Sequence, residues 1–251
     1  MQYVGSKNRY AREILSHMPP ARYFVEPFVG GGNMTYWAVK SGKFQNFLCG
    51  DANEYVIAYF KALQSGWMPK EDYSPEDYIR MKKDWDSGNI NGYDKAELCL
   101  VGNSMGFMGG FFNSPCLQTN HPKSPRNLHK WPFWGASKDR EWVNRAHFTH
   151  HDYQACVIPN DGECVIYLDP PYQGTIKYKN VDPFNYDKFY GWVREKSMTH
   201  YVYTSELSMP DDFDCVWSKA RNGNGVSKKQ SIERLFVYKH GLIYKPPNLF
   251  N

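Results

Sequence analysis

The chain has 251 residues, of which 41% are hydrophobic and 22% charged, and 30 Lys+Arg against 26 Asp+Glu leave a net charge of +4. That length supports a genuine core and predicts one large domain, or one domain with a sizeable insertion, and the balance excludes both a small stapled fold and a disordered chain. No apolar run reaches the roughly 18 residues of a bilayer span, and the opening MQYVGSKNRY lacks the apolar stretch of a secretory signal, so the chain is expected to stay in the cytoplasm.

Taken in chain order, residues 23–28 (YFVEPF) read as a short strand that runs into Gly30, Gly31 and Gly32 and then a helix through Lys40. Phe47 to Asp51 reads as a second strand and Glu54 to Leu63 as a second helix. Strands alternating with helices predict a parallel sheet covered on both faces. From about Gly66 to Ala146 the alternation stops, in a stretch rich in Gly, Asn, Ser, Pro, Trp and Lys with weak periodicity around Lys95 to Val101, which reads as an insertion. The strand grammar returns with His147 to His150, the apolar run Cys164 to Leu168, a helix over Tyr186 to Met198 and a strand at Tyr201 to Thr204. Phe213 to Ser218 and Ile232 to Lys239 flank an Asn/Gly/Lys loop and predict an antiparallel hairpin at the sheet edge. The expected fold is therefore α/β, a doubly wound Rossmann-like sheet. Residues 1–65 and 146–251 would form one discontinuous domain and 66–145 an inserted one.

The six cysteines are Cys49, Cys99, Cys116, Cys156, Cys164 and Cys215. They form no Cys-x-x-Cys pair, which supports neither a disulfide framework nor a zinc ribbon. His147, His150 and His151 have no Cys or carboxylate at ligand spacing, so no metal is predicted. Aromatic residues make up 17% of the chain, more than a core of this size would seem to require, and stacking surfaces are one use for the excess.

Glu26-Pro27-Phe28-Val29-Gly30-Gly31-Gly32 stands where the first strand hands over to a helix. Glycines there either let a ligand press against backbone amides at the helix N-terminus or serve tight packing alone. Asp51, at the end of the second strand, is placed where an acid commonly accepts hydrogen bonds from a ribose, which favours an adenosine cofactor. NAD is disfavoured, because the dinucleotide fingerprint asks for Gly or Ala where this chain has Thr35.

Asp169-Pro170-Pro171-Tyr172 follows the apolar strand directly. Two prolines with locked φ make a rigid turn, and since they carry no N–H, nothing local need claim the Asp169 carboxylate or the Pro170 carbonyl. Two acceptors then remain for an outside amine. A nucleobase amine is a poor nucleophile because its lone pair is conjugated into the ring. Accepting both of its N–H groups would favour a pyramidal nitrogen and stabilise the charge that develops in methyl transfer, with Tyr172 against the base face. A plain proline turn with Asp as a helix cap is the competing reading, but Pro-Pro rarely follows so apolar a strand. In a sheet of order 3-2-1-4-5 the glycine turn and Asp169 share one cleft at the switch point.

These residues resemble the Dam-like DNA adenine-N6 methyltransferases of bacteria and their viruses. The matching motifs are Tyr3-Val4-Gly5-Ser6-Lys7, Glu26 to Gly32, Asp51-Ala52-Asn53, Asp152-Tyr153 and Asp169 to Tyr172, in the family's order. The resemblance implies a methyltransferase sheet that binds S-adenosylmethionine. Tyr3 and Lys7 would lie near its methionine end, the glycine turn with Glu26, Pro27 and Phe28 beneath it, Asp51 with Asn53 at the ribose, and Asp152 with Tyr153 at its adenine. It further implies that Asp169, Pro170, Pro171 and Tyr172 hold a target adenine flipped from duplex DNA, since a paired N6 cannot meet an in-line methyl group.

In that family the segment before Asp152 carries target recognition. Residues 113–140 here hold five basic side chains (Lys123, Arg126, Lys130, Lys138, Arg140) against one acid, with Trp131, Phe133 and Trp134 among them, a pattern suited to phosphate contact and base stacking. Lys123, Arg126, Lys130, Trp131 and Trp134 are the expected DNA contacts; a solvated loop is the alternative. The stretch Asn103 to Asn113 lacks the family's usual Arg, which leaves the recognised sequence open. A second basic loop, Lys219 to Lys229, is equally consistent with DNA contact and with an ordinary exposed hairpin. Two other readings stand beside the DNA enzyme, an RNA or protein amide methyltransferase with the same acceptor geometry and a catalytically silent DNA-binding module. Oligomeric state and partnership with a restriction enzyme are not written in the residues.

Overall fold

The computed structural model describes residues 1–114, 130–160, 163–173, 184–221 and 231–242. Its centre is a seven-stranded sheet of order β3-β2-β1-β4-β5-β7-β6, with β1 at Ala21–Glu26, β2 at Phe44–Asp51, β3 at Ala146–His150, β4 at Cys164–Leu168, β5 at Tyr201–Ser205, β6 at Phe213–Arg221 and β7 at Ser231–Tyr238. Strands β1 to β5 run parallel, and β7 inserts antiparallel between β5 and β6. All five residues of β4 are buried, which is why it reads as an unbroken apolar run. The doubly wound sheet and its antiparallel edge pair are as expected, and the edge hairpin reaches further inward than a simple rim, because β7 rather than β6 meets the parallel strands.

Helices α1 (Ala11–Ser16), α2 (Asn33–Ser41), α3 (Glu54–Gln64), α4 (Pro75–Ser87), α5 (Lys95–Ser104), α6 (Trp131–Arg140) and α7 (Tyr186–Ser197), with the three described single-turn 3-10 helices, accompany the sheet. Local chemistry sets their starts. Asn53 accepts the Tyr55 N–H at 3.0 Å to cap α3, Asn185 accepts the Lys188 N–H at 3.0 Å to cap α7, and Ser74 with Asp77 closes a capping box ahead of α4. Among the described residues no helix is long and apolar enough to cross a membrane.

Among the described residues, the segment that breaks the alternation is largely helical. Tyr73, Tyr78, Met81, Leu98, Val101, Met105 and Phe112 form an apolar cluster of their own, while Ala96, Cys99 and Leu100 of α5 and Ala136 of α6 sit in the same core as β1 to β3. Asp139 fastens α6 to its surroundings by accepting the Tyr59 hydroxyl at 2.7 Å and the Trp142 indole N–H at 3.3 Å. The aromatic excess is spent mainly inside. Phe60 stacks on Phe148 with centroids 4.5 Å apart, Trp85 packs edge-on to Phe111 at 4.8 Å, and Phe28, Tyr153, Phe184 and Phe189 form a third nest.

Candidate active site

Strands β1 and β4 are neighbours, with Val25 beside Ile166, so Glu26 and Asp169 leave adjacent carboxyl ends of the sheet. One cavity of about 240 Å³ opens there. Its lining takes Tyr3, Lys7, Glu26, Phe28, Gly30 and Gly31 from the N-terminal half, and Asp169, Pro170, Pro171, Tyr172 and Glu233 from the C-terminal half. The glycine turn and the Asp-Pro-Pro-Tyr turn thus face a common space.

The turn after β1 is shaped by what presses on it. Gly32 adopts φ +70° as the N-cap of α2, and a Cβ there would lie 2.8 Å from both Phe60 and Trp142. A Cβ on Gly31 would lie 2.7 Å from the Tyr3 side chain. Close packing and an open wall are therefore both present, on different sides of the same turn. Asp51 holds this turn from β2, accepting the Gly30 N–H at 2.9 Å through one oxygen and the Asn53 N–H at 2.9 Å through the other. Burial pushes the Asp51 carboxyl up to about 6, against these two amide hydrogen bonds.

Lys7 is 3% exposed, so it is no part of a frayed terminus. Its ammonium donates to both Asp169 oxygens, at 2.8 and 2.9 Å, and to the Gly5 carbonyl at 3.1 Å. This corrects the expectation that nothing local claims the Asp169 carboxylate. The carboxylate side chain is only 21% exposed, and a charge so far from water needs a counterion, which residue 7 supplies. Burial nevertheless raises Asp169 above the usual carboxylate range, opposed by Lys7 and assisted by the neighbouring Glu233 charge. The Pro171 carbonyl accepts the Tyr186 hydroxyl at 2.7 Å, which ties the rigid turn to α7.

Two acids escaped the sequence reading. Glu233 of β7 accepts the Tyr172 hydroxyl at 2.8 Å and lies 3.8 Å from the Lys7 ammonium. Nothing in the alternation of an edge hairpin marks it, apart from a charge at an inward-facing register position. Glu206, directly after β5, is buried with its Oε1 accepting the Leu207 N–H at 2.7 Å, and burial pushes it to about 7. Its place at the carboxyl end of a parallel strand is the same signal that singled out Asp169. Glu26 is buried beside Thr35, whose hydroxyl donates to it, and burial pushes its carboxyl to about 8.

Asp51, Asn53, Asp152 and Tyr153 do not line this cavity. Asp152 accepts the Gln154 N–H at 2.9 Å, and the buried Tyr153 ring stacks on Phe28 at 5.5 Å. Of the expected DNA contacts, Lys123 and Arg126 lie outside the described residues. Lys130 is exposed at the start of α6. Trp131 and the half-exposed Trp134 line a second cavity, of about 370 Å³, with Ser6, Asn33 and Lys138. Ser6 and Asn33, joined by a 3.0 Å hydrogen bond, border both spaces.

The strand order, with its antiparallel seventh strand and a cleft at the β1/β4 switch point, defines a doubly wound, Rossmann-like sheet. Residues 3–97 match the family model of the D12 class N6 adenine-specific DNA methyltransferases. The chain is 26% identical over 189 residues to a DNA adenine methylase of Vibrio cholerae serotype O1, a match covering 68% of this chain and 64% of that one. It is 23% identical over 258 residues to the retron Ec67 DNA adenine methylase of Escherichia coli, covering 92% and 87%. The Dam-like resemblance carried by the motifs is borne out by these matches. The chain spans just under two thirds of the length of the Vibrio relative. Among solved structures, an rRNA methylase from Streptococcus thermophilus is similar over 94% of this chain and 98% of its own, with a TM-score of 0.38 and 7% identity. TrmN from Thermus thermophilus is similar over 92% of this chain and 48% of its own, with a TM-score of 0.38 and 11% identity.

Proposed function

We propose that this protein transfers a methyl group from S-adenosylmethionine to N6 of an adenine flipped out of duplex DNA. The observation that carries the reading is the single cleft in which the glycine turn after β1 meets Asp169, Pro170 and Tyr172 after β4. The relatives named above are DNA adenine methylases, which favours DNA as the acceptor.

The residues fit S-adenosylmethionine. Gly30 and Gly31 leave backbone open to the cavity, with Tyr3 and Lys7 beside them, and Asp51 holds that turn in place from β2 through the Gly30 amide. When bound, the cofactor supplies an electrophilic methyl group on a sulfonium. The chain's own part is to hold the acceptor amine. Asp169 and the Pro170 carbonyl would each accept one N–H, drawing the nitrogen toward a pyramidal geometry and stabilising its developing charge. Rigid prolines fix the two acceptors relative to each other, so the geometry costs little reorganisation when the amine arrives. Lys130, Trp131 and Trp134, at and within α6, would contact the duplex together with Lys123 and Arg126.

The test is transfer of labelled methyl to duplex DNA and to RNA by the purified wild type and Asp169→Ala. Transfer to DNA, reduced about 10²–10³-fold or more in Asp169→Ala with S-adenosylmethionine binding retained, is expected. Transfer to RNA alone, or full activity in the variant, would overturn the reading.

A further inference from the structure

The Lys7 ammonium spends its three N–H groups on Asp169 and Gly5, and Asp169 is the group proposed above to receive an acceptor amine. The two demands compete, because Lys7 already takes one lone pair on each of the oxygens that an incoming amine would approach, and its charge lies where the amine's charge develops. Lys7 cannot simply withdraw into water: it is 3% exposed, and a buried ammonium without an anion is strongly disfavoured. A second anion lies within a short shift. Glu233 Oε2 is 3.8 Å from Lys7 Nζ, about 0.6 Å beyond the long end of the hydrogen-bond range. The Tyr172 ring centroid lies 4.7 Å from the same nitrogen, and its hydroxyl steadies Glu233.

We infer that Lys7 has two berths, on Asp169 while the acceptor site is empty and on Glu233 and the Tyr172 ring when an amine takes Asp169, so that Glu233 is a positioning residue for methyl transfer. The inference rests on the function proposed above for its catalytic meaning, but its physical content concerns where one buried cation can be neutralised. The β7 backbone pins Glu233 in the sheet, whereas the Lys7 side chain has four rotatable carbons with which to cross the gap.

The two berths are substitutes, and this predicts a specific non-additivity in folding. Asp169→Asn and Glu233→Gln should each be tolerated, since the other anion still serves Lys7. The double variant should lose on the order of a hundredfold or more in its folding constant beyond the product of the single effects. Urea unfolding of the four proteins measures this without DNA or cofactor. An Asp169→Asn loss as large as that of the double variant would mean that Glu233 offers no berth and would overturn the inference.

The catalytic arm uses Glu233→Gln, whose amide oxygen can still accept the Tyr172 hydroxyl. Its kcat on mixed-sequence plasmid DNA should fall roughly tenfold with S-adenosylmethionine affinity unchanged. The acid limb of kcat/KM should move to lower pH, because Asp169 loses a neighbouring anion. The other groups facing Asp169, namely Lys7, Tyr167, Tyr172, Glu26 and Glu206, stay in place. Wild-type kcat in this variant, or a loss of kcat with the acid limb unmoved, overturns the two-berth account while leaving the methyltransferase reading intact. Absence of any methyl transfer by the wild type sinks that reading and leaves the folding cycle to decide the berths.

Discussion

The Asp51 carboxylate accepts the Gly30 amide N–H at 2.9 Å, so the end of β2 holds the turn that follows β1. A carboxyl with this structural task, raised to about 6, makes the shape of the glycine turn depend on pH. Binding of S-adenosylmethionine in the cleft that Gly30 and Gly31 line should be tightest above pH 6 and weaken about tenfold at pH 5, as protonation of Asp51 loosens its hold on the Gly30 amide. Titration calorimetry across pH 5–8 checks this, and in Asp51→Asn the dependence should be flat at a weaker affinity.

Glu26 supplies a second pH effect, of opposite sense for folding. Its carboxyl is raised to about 8 in the folded chain against an ordinary value near 4.5, so the folded state binds the extra proton between those limits. The stability it confers is complete below pH 4.5 and drains away as pH rises through 8. Relative to wild type, Glu26→Gln should gain on the order of 1 kcal/mol per pH unit across that window. Urea midpoints at pH 5, 6.5 and 8 would show it; parallel curves for the two proteins would contradict the assignment.

Gly32 is the least replaceable glycine of the turn. Ala there must hold φ +70° and also place its methyl 2.8 Å from Phe60 and Trp142. The dihedral alone costs roughly 1–2 kcal/mol, and the aromatic clash adds to it. Thermal unfolding of Gly32→Ala should show a fall larger than that of Gly88→Ala, where φ is +75° but nothing lies within 4 Å.

For the proposed DNA contacts, the expectation is electrostatic. Replacing Lys123, Arg126 or Lys130 by Ala should each lower the log–log salt slope of DNA binding by about 0.9 if it contacts one phosphate. Trp134→Ala should weaken binding by about 1–3 kcal/mol with little change in slope, as a stacking contact would. Filter binding across a salt series separates the two behaviours.

Much of this was readable in the chain. Strand β4 announces itself because a parallel strand buried throughout is an apolar run, β1 does so less fully, and the switch-point rule then brings residues 26–32 and 169–172 together. The helices of the middle segment are harder to see. Helix α4 buries only Tyr78 and Met81, so its apolar periodicity is faint, although Ser74, Pro75, Asp77 and Gly88 mark both of its ends. The pairing of Lys7 with Asp169 has no local signal at all, since it arises from packing between segments 162 positions apart. Glu233 is hidden for the same reason: its meaning lies in the strand beside it, which no neighbour in sequence reveals.

The position of β7 between β5 and β6 also has a temporal side. Lys7, Asp169 and Glu233 are separated by most of the polypeptide, so a ribosome-bound nascent chain can carry the glycine turn and the proline turn long before residue 233 emerges. Until then β5 offers an unpaired edge and Lys7 lacks one of the two anions near it. The wall of the cleft that β7 supplies is therefore completed only late in synthesis.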